Sequence, residues 1–339
     1  MAHVTFVHGI ANKPPAEELE RIWVRALANA SEPLALGDSG VTTSMVYWAD
    51  LLYEKSIEDT SSFESTLEST ASAVDAGEEV APPVAATEEE RKFIEGLRDA
   101  LTTMSKEQVD AAVAAEGPNA RMAAGPKPGG GPSSGAGPGG AAGAAPGGPT
   151  LERIPLPWFI KRRIMNAFLR DVHHYLFDVN YAPPGRAPQV RIQQTIRKLF
   201  VDAICAQDVS RPHVVVSHSM GTVIAYDCLK RVETCKGVDG LITIGSPLGL
   251  DEVQDKLQPG WSRAGGFPGE KVAGKWINLY DRLDPVCGLD PKLANDYMKT
   301  GLPSVEDIEV ENGGWWRHSA TKYLAQPQFC RSLRKLLEL

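Results

Sequence analysis

The segment Val214-Val215-Val216-Ser217-His218-Ser219-Met220-Gly221 constrains this chain more than any other. An apolar strand run ends in small-x-Ser-x-Gly, and a helical stretch starts at once, from Met220 to about Val232. A chain that passes so abruptly from strand to helix makes a tight, strained turn with one side chain exposed at its apex. The residues two before and two after that apex must be small, or strand and helix collide; Ser217 and Gly221 meet the demand. Other strands alternate with helical segments, among them strand Val41 to Trp48 after helix Ala16 to Ala30. The expected class is therefore α/β, a mostly parallel sheet with helices on both faces. Ser219 becomes a candidate nucleophile; the plainer alternative is a serine that only caps the helix.

A reactive serine needs an imidazole to take its proton and a carboxylate to orient that imidazole. When the serine sits on such a turn, the acid and then the histidine follow it in the chain. Of the seven histidines (His3, His8, His173, His174, His213, His218 and His318), only His318 lies beyond Ser219. It follows a strand, Val305 to Val310, and a loop, Glu311 to Arg317, and a helical stretch begins behind it. The acid is sought past the apolar strand Lys275 to Tyr280, where Asp281 and Asp284 stand. Functional groups of open parallel sheets gather at the carboxyl ends of the strands. Asp284 is favoured, because Pro285 fixes the chain there and the preceding loop gives reach. Asp281 is the alternative acid, or an Asx-turn residue.

Acyl transfer also needs backbone N–H donors aimed at the developing oxyanion. Met220, at the start of a helix, offers one. The loop after strand Val4 to Val7 offers the second, most simply the N–H of Ile10 in His8-Gly9-Ile10. Gly9 lets that loop approach closely, and His8 is read as holding the loop. The residues that would border a substrate are His8, Gly9, His218, Ser246 (after strand Leu241 to Ile244), Trp315 and Trp316. The two tryptophans either line a pocket or anchor the histidine loop through their large buried area.

Val7-His8-Gly9-Ile10, Ser217-His218-Ser219-Met220-Gly221, Asp284-Pro285-Val286 and His318-Ser319-Ala320 together resemble the α/β-hydrolase superfamily, of the lipase and esterase type. The motifs stand in the family order over residues 1–50 and 189–339. The resemblance implies that fold, a Ser219–Asp284–His318 triad, an oxyanion hole at Ile10 and Met220, and hydrolysis of a carboxylic ester-like bond through an acyl-enzyme. A thioesterase or acyltransferase would use the same residues, and a non-catalytic binding or scaffold member of the fold is the rival from another class. Two departures stand out. Ser217 occupies the usual glycine position, and the first strand leads straight into the oxyanion loop. One or two N-terminal strands are thus expected to be missing.

Residues 51–188 interrupt the pattern as an insertion. Its first part is acidic, with helix expected around Glu88 to Thr103; residues of about 123–150 are Gly, Ala and Pro-rich and read as a flexible linker. Residues 157–179 carry a helical apolar face (Phe159, Met165, Phe168, Leu169, Val172, Leu176, Phe177) beside Arg162 and Arg163. That helix packs on the core, caps the site, or lies on a membrane surface. His173-His174 within it face different ways with no third ligand in view, so neither metal nor cofactor is expected.

A net charge of −8 and a pI near 5.5 argue against a nucleic-acid partner. The expected partner is a small-molecule or lipid ester. No stretch approaches transmembrane length, the start shows no secretory pattern, and five cysteines lack metal spacing. They read as reduced thiols of a cytoplasmic protein.

Overall fold

The chain forms eight strands among the residues described in the computed structural model (1–58, 60, 80–116, 158–207, 212–313 and 316–339). These are β1 (His3–Val7), β2 (Thr42–Val46), β3 (Asn180–Tyr181), β4 (Val190–Arg191), β5 (His213–His218), β6 (Gly240–Ile244), β7 (Trp276–Tyr280) and β8 (Val305–Glu309). Six of them make one sheet in the order β2-β1-β5-β6-β7-β8, every pairing parallel, and β3 and β4 form a separate antiparallel pair. The helices are α1 (Ala16–Ala28), α2 (Glu88–Glu116), α3 (Trp158–Leu176), α4 (Ile192–Ala206), α5 (Met220–Arg231), α6 (Asp251–Leu257), α7 (Ala320–Leu324) and α8 (Pro327–Leu337).

A parallel sheet covered on both faces needs strands that are apolar on both sides. Val4, Phe6, Val214, Val216, Ile242, Ile244, Ile277 and Leu279 face one layer, with Leu19 and Trp23 of α1, Tyr323 of α7 and Phe329 of α8. Val215, Leu241, Trp276 and Val305 face the other, with Ile196 and Phe200 of α4 and Val223 and Ile224 of α5. Phe93, Ile94 and Leu97 of α2 and Phe168, Leu169 and Val172 of α3 join that second layer, so two helices of the 51–188 segment share the main core. The side chain of Phe159 and residues 123–150 lie outside what is described. Among the described residues no helix is long and apolar enough to cross a membrane, and all five cysteines are free thiols, four of them buried.

One buried carboxylate links three helices. Asp227 of α5 accepts two hydrogen bonds from the Arg197 guanidinium of α4, at 2.6 and 2.9 Å, and one from the Tyr175 hydroxyl of α3 at 2.7 Å; Arg231 lies 3.0 Å away. A buried charge persists only when paired and hydrogen-bonded in this way.

Two of the boundaries that differ from expectation do so for clear local reasons. β2 ends at Val46 because the chain turns away there: the Trp48 N–H leaves the ladder and donates to His8 Nε2 at 3.0 Å. α2 runs past Thr103 to Glu116, since no glycine or proline interrupts Met104 to Glu116 before Gly117-Pro118.

Strand registers bring the functional ends level. Val7 lies opposite Ser217, His218 opposite Ile244, Ile244 opposite Leu279, and Tyr280 opposite Glu309. From β1 the chain steps outward to β2 and then returns to β5 on the other side, a topological switch between β1 and β5. Open α/β sheets build their crevices at the carboxyl ends of the strands at such a point.

Candidate active site

Ser219 occupies the junction of β5 and α5 with φ 55° and ψ −130°, a backbone conformation that a non-glycine residue rarely adopts. Strain of this kind amounts to about 1–3 kcal/mol and persists only where the surroundings impose it. Here they do. The Ser219 N–H donates to Ile244 O at 3.0 Å, and its carbonyl accepts from the Thr222 N–H at 2.9 Å and hydroxyl at 2.6 Å. The small neighbours are sterically required. A Cβ on Gly221 would stand 2.5 Å from Val7 O, and one on Gly9 would stand 2.5 Å from Ser219 Cβ. Ser217 is fully buried, its hydroxyl donating to Ile242 O at 3.3 Å.

His318 and Asp284 meet beside this turn. The imidazole Nδ1 lies 2.8 Å from Asp284 Oδ2. An ionised carboxylate can only accept, so Nδ1 carries a proton; the tautomer so selected in a neutral ring is the one with its lone pair on Nε2. Asp284 also accepts from the Tyr323 hydroxyl at 2.7 Å and from the Val286 and Cys287 N–H groups at 2.8 and 3.4 Å. Burial opposes its ionisation, but pairing with His318 and these donors outweighs burial and holds the carboxyl below its ordinary range.

Asp281 stands elsewhere. Its Oδ1 accepts from the Leu283 N–H at 2.8 Å, an Asx-type turn, and its Oδ2 from the Asn312 N–H at 2.6 Å and Arg317 at 3.1 Å. Burial, only partly offset by those donors, raises its pKa. It ties down the loop that carries the histidine, while Asp284 contacts the imidazole.

Two buried side-chain atoms at the centre have no hydrogen-bond partner: Ser219 Oγ and His318 Nε2. The two are not hydrogen-bonded to each other. Met220 begins α5, where the N–H groups of the first turn lack intrahelical acceptors and the helix dipole is positive. Ile10 follows β1 across the crevice and is buried.

The residues expected to border a substrate have more local duties. The His8 ring donates from Nδ1 to Gly9 O at 2.8 Å, accepts from the Trp48 N–H, and stacks on the Trp48 indole at 4.5 Å. Burial, then the nearby Lys13 charge, pushes its pKa well down, so it is neutral. His218 donates from Nε2 to the His318 carbonyl at 2.9 Å, and its ring lies 4.6 Å from the His318 ring. Burial and the neighbouring His318 keep it neutral as well. Ser246 caps a short 3-10 turn, Pro247–Gly249, and hydrogen-bonds Thr222 Oγ1 at 2.8 Å. Trp316 is buried edge-on against His318 at 5.7 Å, and Trp315 lies outside the described residues.

Tyr323 and Asn312 did not stand out in the sequence. Tyr323 donates to Asp284 and accepts from the Asp281 N–H at 3.0 Å, and Asn312 donates to the Arg317 carbonyl at 2.8 Å. Tyr323 lies five positions beyond His318 on the helix behind it, and that nearness was its one available signal.

His173 and His174 lie in α3 with their Nδ1 atoms 3.3 Å apart, and His173 Nε2 is 3.4 Å from Glu90. Among the described residues no group of three His, Cys, Asp or Glu side chains is arranged to hold a metal ion. No protein-family model matches the chain, and no curated protein matches it.

Proposed function

We propose that this chain is a serine hydrolase of the α/β-hydrolase type that cleaves an ester-like acyl bond. Ser219 attacks the carbonyl while His318 Nε2 takes its proton. Asp284 holds the imidazole tautomer and stabilises the imidazolium. The N–H groups of Ile10 and Met220 receive the oxyanion. His318 then returns the proton to the leaving group, and water attacks the acyl-enzyme by the same route.

One observation carries the reading. A strained, buried serine hydroxyl and the buried free nitrogen of an imidazole oriented by Asp284 are both left without a hydrogen-bond partner. Among the described residues the other such atoms lie on Trp23, His173, Asp296 and Gln328, and none of these joins a strained turn to a carboxylate-held ring. A capping serine gives no account of this, because Ser219 makes no side-chain cap bond. Ser219 is also fully buried, so on this reading some covering part moves before a substrate enters.

A fluorophosphonate probe tests the assignment. We expect stoichiometric labelling of the folded wild type, no labelling of Ser219→Ala, and an unchanged melting temperature in the variant. Failure of the folded wild type to react would refute the reading. A panel of oxygen esters, thioesters and amides of graded acyl length then sorts esterase from thioesterase or acyltransferase.

A further inference from the structure

The peptide unit joining Ile10 and Ala11 is held at both ends by buried opposite charges. At its carbonyl end, the Lys13 ammonium donates to Ile10 O and, at 3.2 Å, to Ala11 O. At its N–H end, Ala11 donates to Asp171 Oδ2 at 2.9 Å. Lys13 is buried, and Asp171 is fully buried. Ala11 itself has φ 69°, in the left-handed region that costs a residue with a Cβ about 1–2 kcal/mol. An isolated loop would relax from that conformation, so the charges at each end keep the peptide plane in place.

The anion comes from an unexpected part of the chain. Asp171 belongs to α3 within the 51–188 insertion, far in sequence from the β1 loop. It is itself secured. Arg170 donates to Oδ1 through Nε at 3.1 Å and Nη2 at 2.9 Å, and the Tyr53 hydroxyl donates to Oδ2 at 3.0 Å. The Arg170 guanidinium also covers the Tyr53 ring at 4.3 Å. Because Asp171 occupies the Ala11 N–H, that group cannot serve a substrate oxygen, and Ile10 is left as the donor from this loop. Fixing the Ile10–Ala11 plane restricts the φ and ψ of Ile10 and therefore the direction of the adjoining Gly9–Ile10 peptide, whose N–H is that donor.

We propose that Asp171 and Lys13 are positioning residues for the oxyanion hole, so that the insertion completes the site through α3 by clamping the loop that supplies one of its two donors. The proposal rests on the serine-hydrolase reading. It predicts a loss of transition-state stabilisation with little change in ground-state binding, because neither side chain is assigned a contact with the substrate.

The test compares Asp171→Asn and Lys13→Met with wild type on an activated aryl ester. Each turnover rate is divided by the concentration of fluorophosphonate-reactive serine, so that unfolded protein drops out. Deleting an oxyanion donor outright costs about a hundred- to a thousandfold in turnover, and a donor misdirected rather than deleted should cost about tenfold to a hundredfold. The expected result is that fall in kcat for both variants, KM within about threefold, and a matching loss of affinity for a trifluoromethyl ketone, whose adduct carries the oxyanion. A merely structural role would lower the labelled fraction but leave kcat per labelled site and the inhibitor constant unchanged.

If a folded variant keeps wild-type kcat per labelled site, the proposal is overturned while the serine assignment stands. If the folded wild type neither labels nor turns over, the serine assignment fails and the clamp loses its purpose with it. Should Asp171→Asn not fold, Lys13→Met decides, since it removes a buried charge yet keeps the apolar stem.

Discussion

The two ends of the same sheet treat serine, threonine and histidine in opposite ways. At the amino ends of β1, β2 and β5, His3 uses both ring nitrogens, on Thr42 Oγ1 at 2.7 Å and Ser44 Oγ at 2.9 Å. Thr5 there bonds His213 Nε2 at 2.9 Å and Ser44 Oγ at 3.3 Å. At the carboxyl ends, Ser219 Oγ, directly after the same β5, and His318 Nε2, in the loop after β8, are buried with no partner. Burial is similar at both ends and the residue types overlap. Hydrogen-bonding capacity is used up at one end and held open at the other. Polar residues that serve stability satisfy one another, whereas those that serve chemistry leave room for a reacting atom.

The largest expected effect falls on the open end. Asp284→Asn should lower turnover per folded protein by about a thousand- to ten-thousandfold, because an amide can favour the wrong imidazole tautomer. Steady-state kinetics on a soluble ester measures it. Asp281→Asn sharpens the contrast within the same loop. It loses charge against Arg317, and since this carboxylate grips the loop and not the imidazole, we expect about 1–3 kcal/mol of destabilisation by denaturant titration. Turnover should fall far less than in the first variant. Equal kinetic losses in the two would erase the distinction drawn between them.

At the satisfied end the expected order reverses. His213→Leu leaves the Thr5 hydroxyl only its longer contact with Ser44 and should cost about 1–2 kcal/mol of stability, with kcat per folded molecule unchanged. The smallest effect is on pH dependence. Burial, and secondarily His213, lowers the His3 pKa to about 4. The unfolded chain titrates near 6.5 (about the ordinary value) and therefore binds the proton first. Stability from this group is present above that value and declines as pH falls from there toward 4. Chemical denaturation at stepped pH should show a decline in that window that His3→Gln diminishes. A wild-type profile flat between those limits would contradict the assigned environment.

Local pattern carried much of this in the sequence. The apolar run, the small residues around Ser219 and the immediate helix mark the turn without any tertiary knowledge, because sterics require them at that spacing. His318 emerged by elimination, and the Asp281–Asp284 choice narrowed to one short loop. What escaped was held by contacts between distant segments. Nothing near Tyr323 signals that its hydroxyl reaches Asp284, since that depends on how α7 returns to the sheet. Likewise Asp171, the single acidic residue of α3, shows no purpose until that helix is docked beside the β1 loop. The partners of His8 and His218, the Trp48 N–H and the His318 carbonyl, lie far along the chain and could not be read from the residues beside them. Side chains whose work is to hold another loop leave no periodic trace.

The Asp227 junction limits how this protein could be shortened. Excising 51–188 to make a minimal core would remove the Tyr175 hydroxyl from a carboxylate at the heart of the helix that follows Ser219. It would also strip the apolar cover supplied by Phe168, Leu169 and Val172. A miniaturised version would start with an ion under-solvated in its interior and a bare greasy flank. The segment that looks dispensable in a linear reading is thus a structural dependency of the rest, and trimming is better begun within residues 123–150 than at the helices on either side.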